Sequence, residues 1–216
     1  MRKNLSFLFI FLFVVGFIGG CAGIPVRKEV KEDRSLPVGK IEGSAFEGIR
    51  FPFKVSLPSP QWKFSVEIPA FMEGLGFKKP GLEESELFLI NPVTKSNIQI
   101  DLTPAGRYAK FSQEKTEWLT TAAMGSFKQE LEEEHGKGIE VVTGPTEPIP
   151  LKGVQFAAKK YATYTLKGVK REQGWIYGFT EPYQLFILYV ILEKEGSRDR
   201  EDMKKILDSF EVISKK

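Results

Sequence analysis

YQLFILYVIL, residues 183–192, decides the fold. Leu185, Ile187, Tyr189 and Ile191 fall on one parity, and Phe186, Leu188, Val190 and Leu192 on the other. A strand sends successive side chains to opposite faces, so this one is apolar on both. Such a strand belongs at the centre of a sheet that is covered from both sides. The run is ten residues long, about half of the twenty that a membrane-spanning helix needs. No strands of outer-membrane barrel type accompany it.

Toward the N-terminus two more strands lead into it, about Gly153 to Thr165 and Gln173 to Thr180. Lys167-Gly168 and Glu181-Pro182 mark the turns between the three. Links this short make the neighbours antiparallel. On the C-terminal side a helix is expected over about Asp199 to Ser209. Met203, Ile206, Leu207 and Phe210 recur at i, i+3, i+4 and i+7, a core-facing stripe.

Further upstream, Phe53, Val55 and Leu57 alternate with polar residues, as do Trp62, Phe64, Val66 and Ile68, before Pro69 ends that strand. Residues 70–84 read as a Gly- and Pro-containing loop. Glu86 to Asn91 and Asn97 to Thr103 read as strands joined through NPVTKS. Ser112 to about His135 reads as one long helix, with Ser112 as its cap and Gly136 ending it. Leu119, Ala123, Phe127 and Leu131 form its stripe, with Trp118 and Ala122 beside it. Ile139 to Val142 is a short strand. Strands joined by hairpins, one long internal helix and a terminal helix make an α+β fold with an antiparallel sheet. The single domain is expected over residues 51–216, preceded by a mixed-charge polar tether at 21–50 that includes VRKEVKEDR.

The chain begins MRKNLSFLFIFLFVVGFIGGC. A basic start, an apolar run from Leu5 to Ile18 and small residues after it have the design of a secretory signal over residues 1–20. Ile18-Gly19-Gly20-Cys21 resembles the lipobox of bacterial lipoproteins, with Ile18 where that family prefers Leu. The resemblance implies a diacylglyceryl thioether on Cys21, cleavage just before it and acylation of the new amino group. Cys21 is the only cysteine, so no internal disulfide is available and thioether formation removes a free exported thiol. Two or three acyl chains suffice for stable anchoring. An uncleaved anchor, or an ordinary signal with an incidental cysteine, is the competing reading. Ala22 after the cysteine points, within that resemblance, to the periplasmic face of the outer membrane, or to the outer leaflet of a single-membrane cell.

The meander ending in an apolar strand, the charged linker and the tail DMKKILDSFEV at 202–212 resemble the PsbP-like fold, which includes small bacterial lipoproteins related to DcrB. The resemblance spans about residues 51–213. It implies an antiparallel sheet between helical layers and a binding or assembly role without catalysis, and it carries no functional residue onto this chain.

Composition narrows the chemistry. The net charge of +3 drops to about +1 once Arg2 and Lys3 leave with the signal, which gives no ground for nucleic-acid binding. His135 is the single histidine. A Ser-His-Asp triad would need it as base, yet it stands at a helix end among acids, where a solvent-facing role suits it better. Zinc sites built from several His and Cys ligands are excluded by count. The acids Glu130 and Glu132 to Glu134 point in diverging directions around a helix and do not converge on one ion. No GxxxxGK(S/T) motif is present, and no GxGxxG follows a strand. Carboxylate-only calcium sites stay open, though no EF-hand pattern exists, and so do paired acids, whose separation is a three-dimensional property; the expected catalytic residues, metal ligands and cofactors are none.

Aromatic residues are the remaining candidates. Trp175, Tyr177 and Phe179 share one face of a strand, with Tyr161 as a possible neighbour from the preceding strand, and Trp62 opens another. They line either a groove for a peptide, lipid or sugar, or simply the core beneath a helix. The expected function is a membrane-anchored, non-catalytic binding or assembly module with an envelope protein partner. The alternatives are a carboxylate-dependent hydrolase of envelope polymers and a carrier of a small apolar ligand.

Overall fold

The computed structural model describes residues 30–33, 35–67, 69, 87–106 and 110–213. The signal, Cys21, Ile68 and the expected loop at 70–84 lie outside these. The elements run β1 (Gly39–Glu42), β2 (Ala45–Gly48), β3 (Phe53–Ser56), β4 (Lys63–Ser65), β5 (Leu87–Ile90), β6 (Asn97–Pro104), α1 (Gln113–Ala123), α2 (Phe127–His135), β7 (Val141–Thr143), β8 (Glu147–Pro148), β9 (Phe156–Leu166), β10 (Val169–Thr180), β11 (Tyr183–Glu193), α3 (Asp199–Ser209) and β12 (Glu211–Val212). The fold is α+β with antiparallel pairing throughout its named strands, and sheet dominates it.

The main sheet runs β4-β5-β6-β11-β10-β9-β7, with β8 pairing on β9. The apolar stretch is thus its middle strand. Leu185, Ile187, Tyr189 and Ile191 are fully buried, while the opposite parity is half-buried. Lys167 and Gly168 both take positive φ, 50° and 75°, the two-residue hairpin geometry whose twist matches the strands.

Four findings depart from the expectations. Part of the assigned tether is folded: β1 and β2 form a hairpin, and with β3 and β12 they build a second, four-stranded sheet. Its Phe46, Phe53, Val55 and Val212 enter the main core, so the domain reaches back past residue 51. The long helix is two helices, because Gly125 and Ser126 are poor helix formers and the backbone turns at 124–126. Of the expected stripe, Phe127 and Leu131 are buried and Ala123 packs against them, but the fully buried residues of α1 are Thr116 and Thr120, Leu119 is half-buried and Trp118 is 65% exposed. Thr120 Oγ1 lies 2.8 Å from the Thr116 carbonyl and 3.2 Å from that of Ala158, so its hydroxyl is satisfied while buried. Lastly, β4 ends at Ser65, and Val66 is exposed. The Ser112 cap is as expected: its side chain accepts a hydrogen bond from Lys115 N–H.

Each face of the main sheet has its own core. On one face, α1 and α2 cover Ala162, Tyr164, Leu166 and Trp175. On the other, the small sheet and α3 cover Ile98, Ile100, Leu102, Ile176 and the buried parity of β11. Two acids fasten α3 in place. Asp199 accepts from Asn91 Nδ2 at 3.0 Å and Ser96 Oγ at 2.6 Å. Asp202 accepts from Trp62 Nε1 at 3.1 Å and Ser59 Oγ at 3.3 Å.

Candidate functional site

The expected aromatic group does not assemble. In the β9–β10 register Tyr161 pairs with Gly174, and paired residues share a face, so Tyr161 lies opposite to Trp175, Tyr177 and Phe179. Trp175 is buried under Phe127 of α2, edge to face at 4.9 Å between ring centres. Phe179 is buried against Phe111, stacked at 4.2 Å. Tyr177 is half-buried beside Phe186 at 4.8 Å. Trp62 is buried, with its indole N–H on Asp202. Trp62, Trp175 and Phe179 are therefore core, and the groove reading is corrected. His135 sits at the end of α2, 3.6 Å from Glu134.

The site that the structure does build lies on the other face, between α3 and strands β9, β10 and β11. It is a cleft of about 430 Å³ lined chiefly by Ile149, Pro150, Ile191, Met203 and Leu207, with Lys159, Glu172, Tyr189, Arg200, Lys204 and Asp208 as its polar members. Its volume falls in the range of small-molecule sites.

The polar members are largely paired. Glu172 is 4% exposed, on the parity of Gly174, Ile176 and Gly178 that faces the core. One carboxylate oxygen accepts from Tyr189 O–H at 2.9 Å, and the other from the Arg200 guanidinium. Arg200 also holds Glu193, which pairs with Lys170 at 3.2 Å. These four charges cancel along one chain across β10, β11 and α3. A hydrogen bond to a charged group contributes about 1.5–3 kcal/mol, and leaving a buried carboxylate without its partners costs more. Burial, and then the adjacent Glu172 carboxylate, push the Tyr189 phenol well up, so it stays protonated as the donor. The hydrogen bond from Arg200 holds the Glu193 carboxyl below its ordinary range.

Gly174 makes this network possible. A Cβ there would stand 2.1 Å from the Tyr189 ring, so only glycine lets the ring lie across β10 toward Glu172. Lys159 is the exception to the pairing. Its ammonium lies over the rings of Tyr161 and Tyr189, 5.4 Å and 5.8 Å from their centres.

Sequence reasoning read Tyr189 only as an apolar strand position and did not find Lys159, Glu172 or Arg200. The available signal was Glu172 itself, an acid sharing its parity with two glycines and an isoleucine. Among the described residues no helix is long and apolar enough to cross a membrane.

No protein-family model matches the chain, and no curated protein matches it. Solved structures do. Cyanobacterial PsbP (CyanoP) from Synechocystis aligns with a TM-score of 0.50 at 9% identity, over 82% of this chain and 100% of that one. LpqN, involved in cell envelope biogenesis of Mycobacterium tuberculosis, aligns at 0.45 and 13% identity, over 76% and 86%. A Bacteroides thetaiotaomicron protein aligns at 0.43 and 12%, over 76% of this chain and 46% of its own. At 9% identity the likeness to cyanobacterial PsbP is one of fold alone.

Proposed function

We propose that this chain is a lipid-anchored, non-catalytic binding or assembly module of the cell envelope, held to the membrane through Cys21 and working with an envelope protein partner. The observation that carries the binding role is the cleft beneath α3. Its carboxylate, phenol and guanidinium are committed to one another, which suits a preformed pocket better than a site that must move protons. The lipobox-like ending at Cys21 supports the anchor. Tethering confines the domain to a surface, raises its effective concentration there and tolerates modest affinity for a partner. The hydrolase alternative assigns Glu172 as the acid or base. A carrier of a small apolar ligand remains compatible with the cleft's walls.

Crosslinking in intact cells tests the proposal. The membrane-bound protein is expected to yield a discrete adduct with the same envelope protein in repeated experiments, and Cys21→Ala to lose it. Absence of any adduct, together with turnover of a cell-wall polymer that Glu172→Gln abolishes, overturns the non-catalytic reading.

A further inference from the structure

The charges around the cleft are unevenly settled. Arg200 and Lys170 are neutralised by Glu172 and Glu193. Lys204, on the exposed side of α3, stands 4.0 Å from Asp208. Lys159 has Glu147 as its register partner on β8 but forms no ion pair with any described carboxylate, and its ammonium lies over the faces of Tyr161 and Tyr189. Ring faces attract a cation without cancelling its charge. The half-buried ammonium is thus left as the surplus charge of the cleft.

An apolar wall lines the same cleft as that ammonium. Met203 and Leu207 lie one turn apart on α3, and Ile191 lies on β11, all three lining the same space as Lys159 on β9. Ile149 and Pro150 complete the wall.

We propose that the cleft binds a small anionic amphiphile, with its carboxylate or phosphate head on Lys159 and its chain along Ile191, Met203 and Leu207. This rests on the binding-module reading and names the ligand class of its cleft. Arg200 contributes by holding Glu172 neutralised, so that the buried carboxylate does not repel the head. The volume, near the lower end for small-molecule sites, favours a short chain.

The test uses the full chain in nanodiscs of zwitterionic lipid, with empty discs subtracted, and four probes: octanoate, octyl phosphate, octanol and inorganic phosphate. Octanoate and octyl phosphate are expected to saturate the protein, and octanol to bind about tenfold more weakly, as befits one partly buried ion pair. Inorganic phosphate is expected not to saturate at the same concentrations. The tighter of the two amphiphiles identifies the head as carboxylate or phosphate monoester. Lys159→Met keeps the alkyl stem and removes the charge. It should lower octanoate affinity to that of octanol while the protein still melts cooperatively, and Leu207→Trp should weaken both by filling the wall. Equal affinities for octanoate and octanol, unaltered octanoate binding by Lys159→Met, or inorganic phosphate binding as tightly as octyl phosphate overturns the proposal. If octanoate fails to bind while the crosslinked partner persists, the cleft assignment falls and the module reading stands.

Discussion

Asp in place of Phe210 leaves no folded domain. Phe210 is 0% exposed and stands where α3 hands over to β12, its N–H closing on the Ile206 and Leu207 carbonyls. Its ring packs 5.8 Å from that of Phe53, which joins the small sheet to the core beneath the main one. Losing the ring alone costs about 3–5 kcal/mol. The carboxylate adds the cost of a buried charge with no partner. Together these exceed what a domain with roughly 5–15 kcal/mol of total stability can lose and stay populated. The expected result is a circular-dichroism melt without a cooperative transition, while Phe210→Leu still melts cooperatively at a lower temperature. A Phe210→Asp protein that melts like its parent would show that the helix does not cover this face.

Asp199→Ala has the next largest effect. The carboxylate is 1% exposed and joins the start of α3 to the 91–96 hairpin through Asn91 and Ser96. Ser96 Oγ also accepts from Leu192 N–H at 2.9 Å, so the same network reaches the central strand. Removing the acceptor strands two buried donors, at about 1–3 kcal/mol each. It also removes a negative charge from the first turn of a helix, worth about 0.3–1 kcal/mol. A loss of about 2–7 kcal/mol is expected, read as a fall in the urea midpoint with an unchanged slope. Asp199→Asn keeps one acceptor and should recover part of it. A midpoint unchanged for Asp199→Ala would contradict the role given to this residue.

The sequence made some of this legible. The meander was readable because Tyr183 to Glu193 is apolar on both parities and Lys167-Gly168 supplies a turn whose chemistry is local. The terminal helix was readable because Met203, Ile206 and Phe210 keep one period to its end. The break at Gly125 was hidden, since Leu119, Ala123, Phe127 and Leu131 keep a helical spacing straight across it. The β1–β2 hairpin was hidden because its strands are four residues each and mostly charged or small, with Phe46 alone announcing a core. Tyr161 was misplaced for a different reason. A strand's period of two makes face depend on register, and a one-residue difference in pairing moves a side chain to the opposite face. The cleft was out of reach for the same reason as most polar sites. Lys159, Glu172 and Arg200 come from separate elements and look like solvated charges until the sheet brings them together.

The proposed lipid anchor rests on one residue, Cys21, and mass spectrometry of the protein extracted from membranes tests it. The expected species begins at Cys21 and carries a diacylglyceryl thioether and an acylated amino group, and Cys21→Ala yields no lipidated species and no membrane-bound mature protein. An unmodified cysteine at the mature N-terminus, or a chain that still begins at Met1, would contradict lipid anchoring.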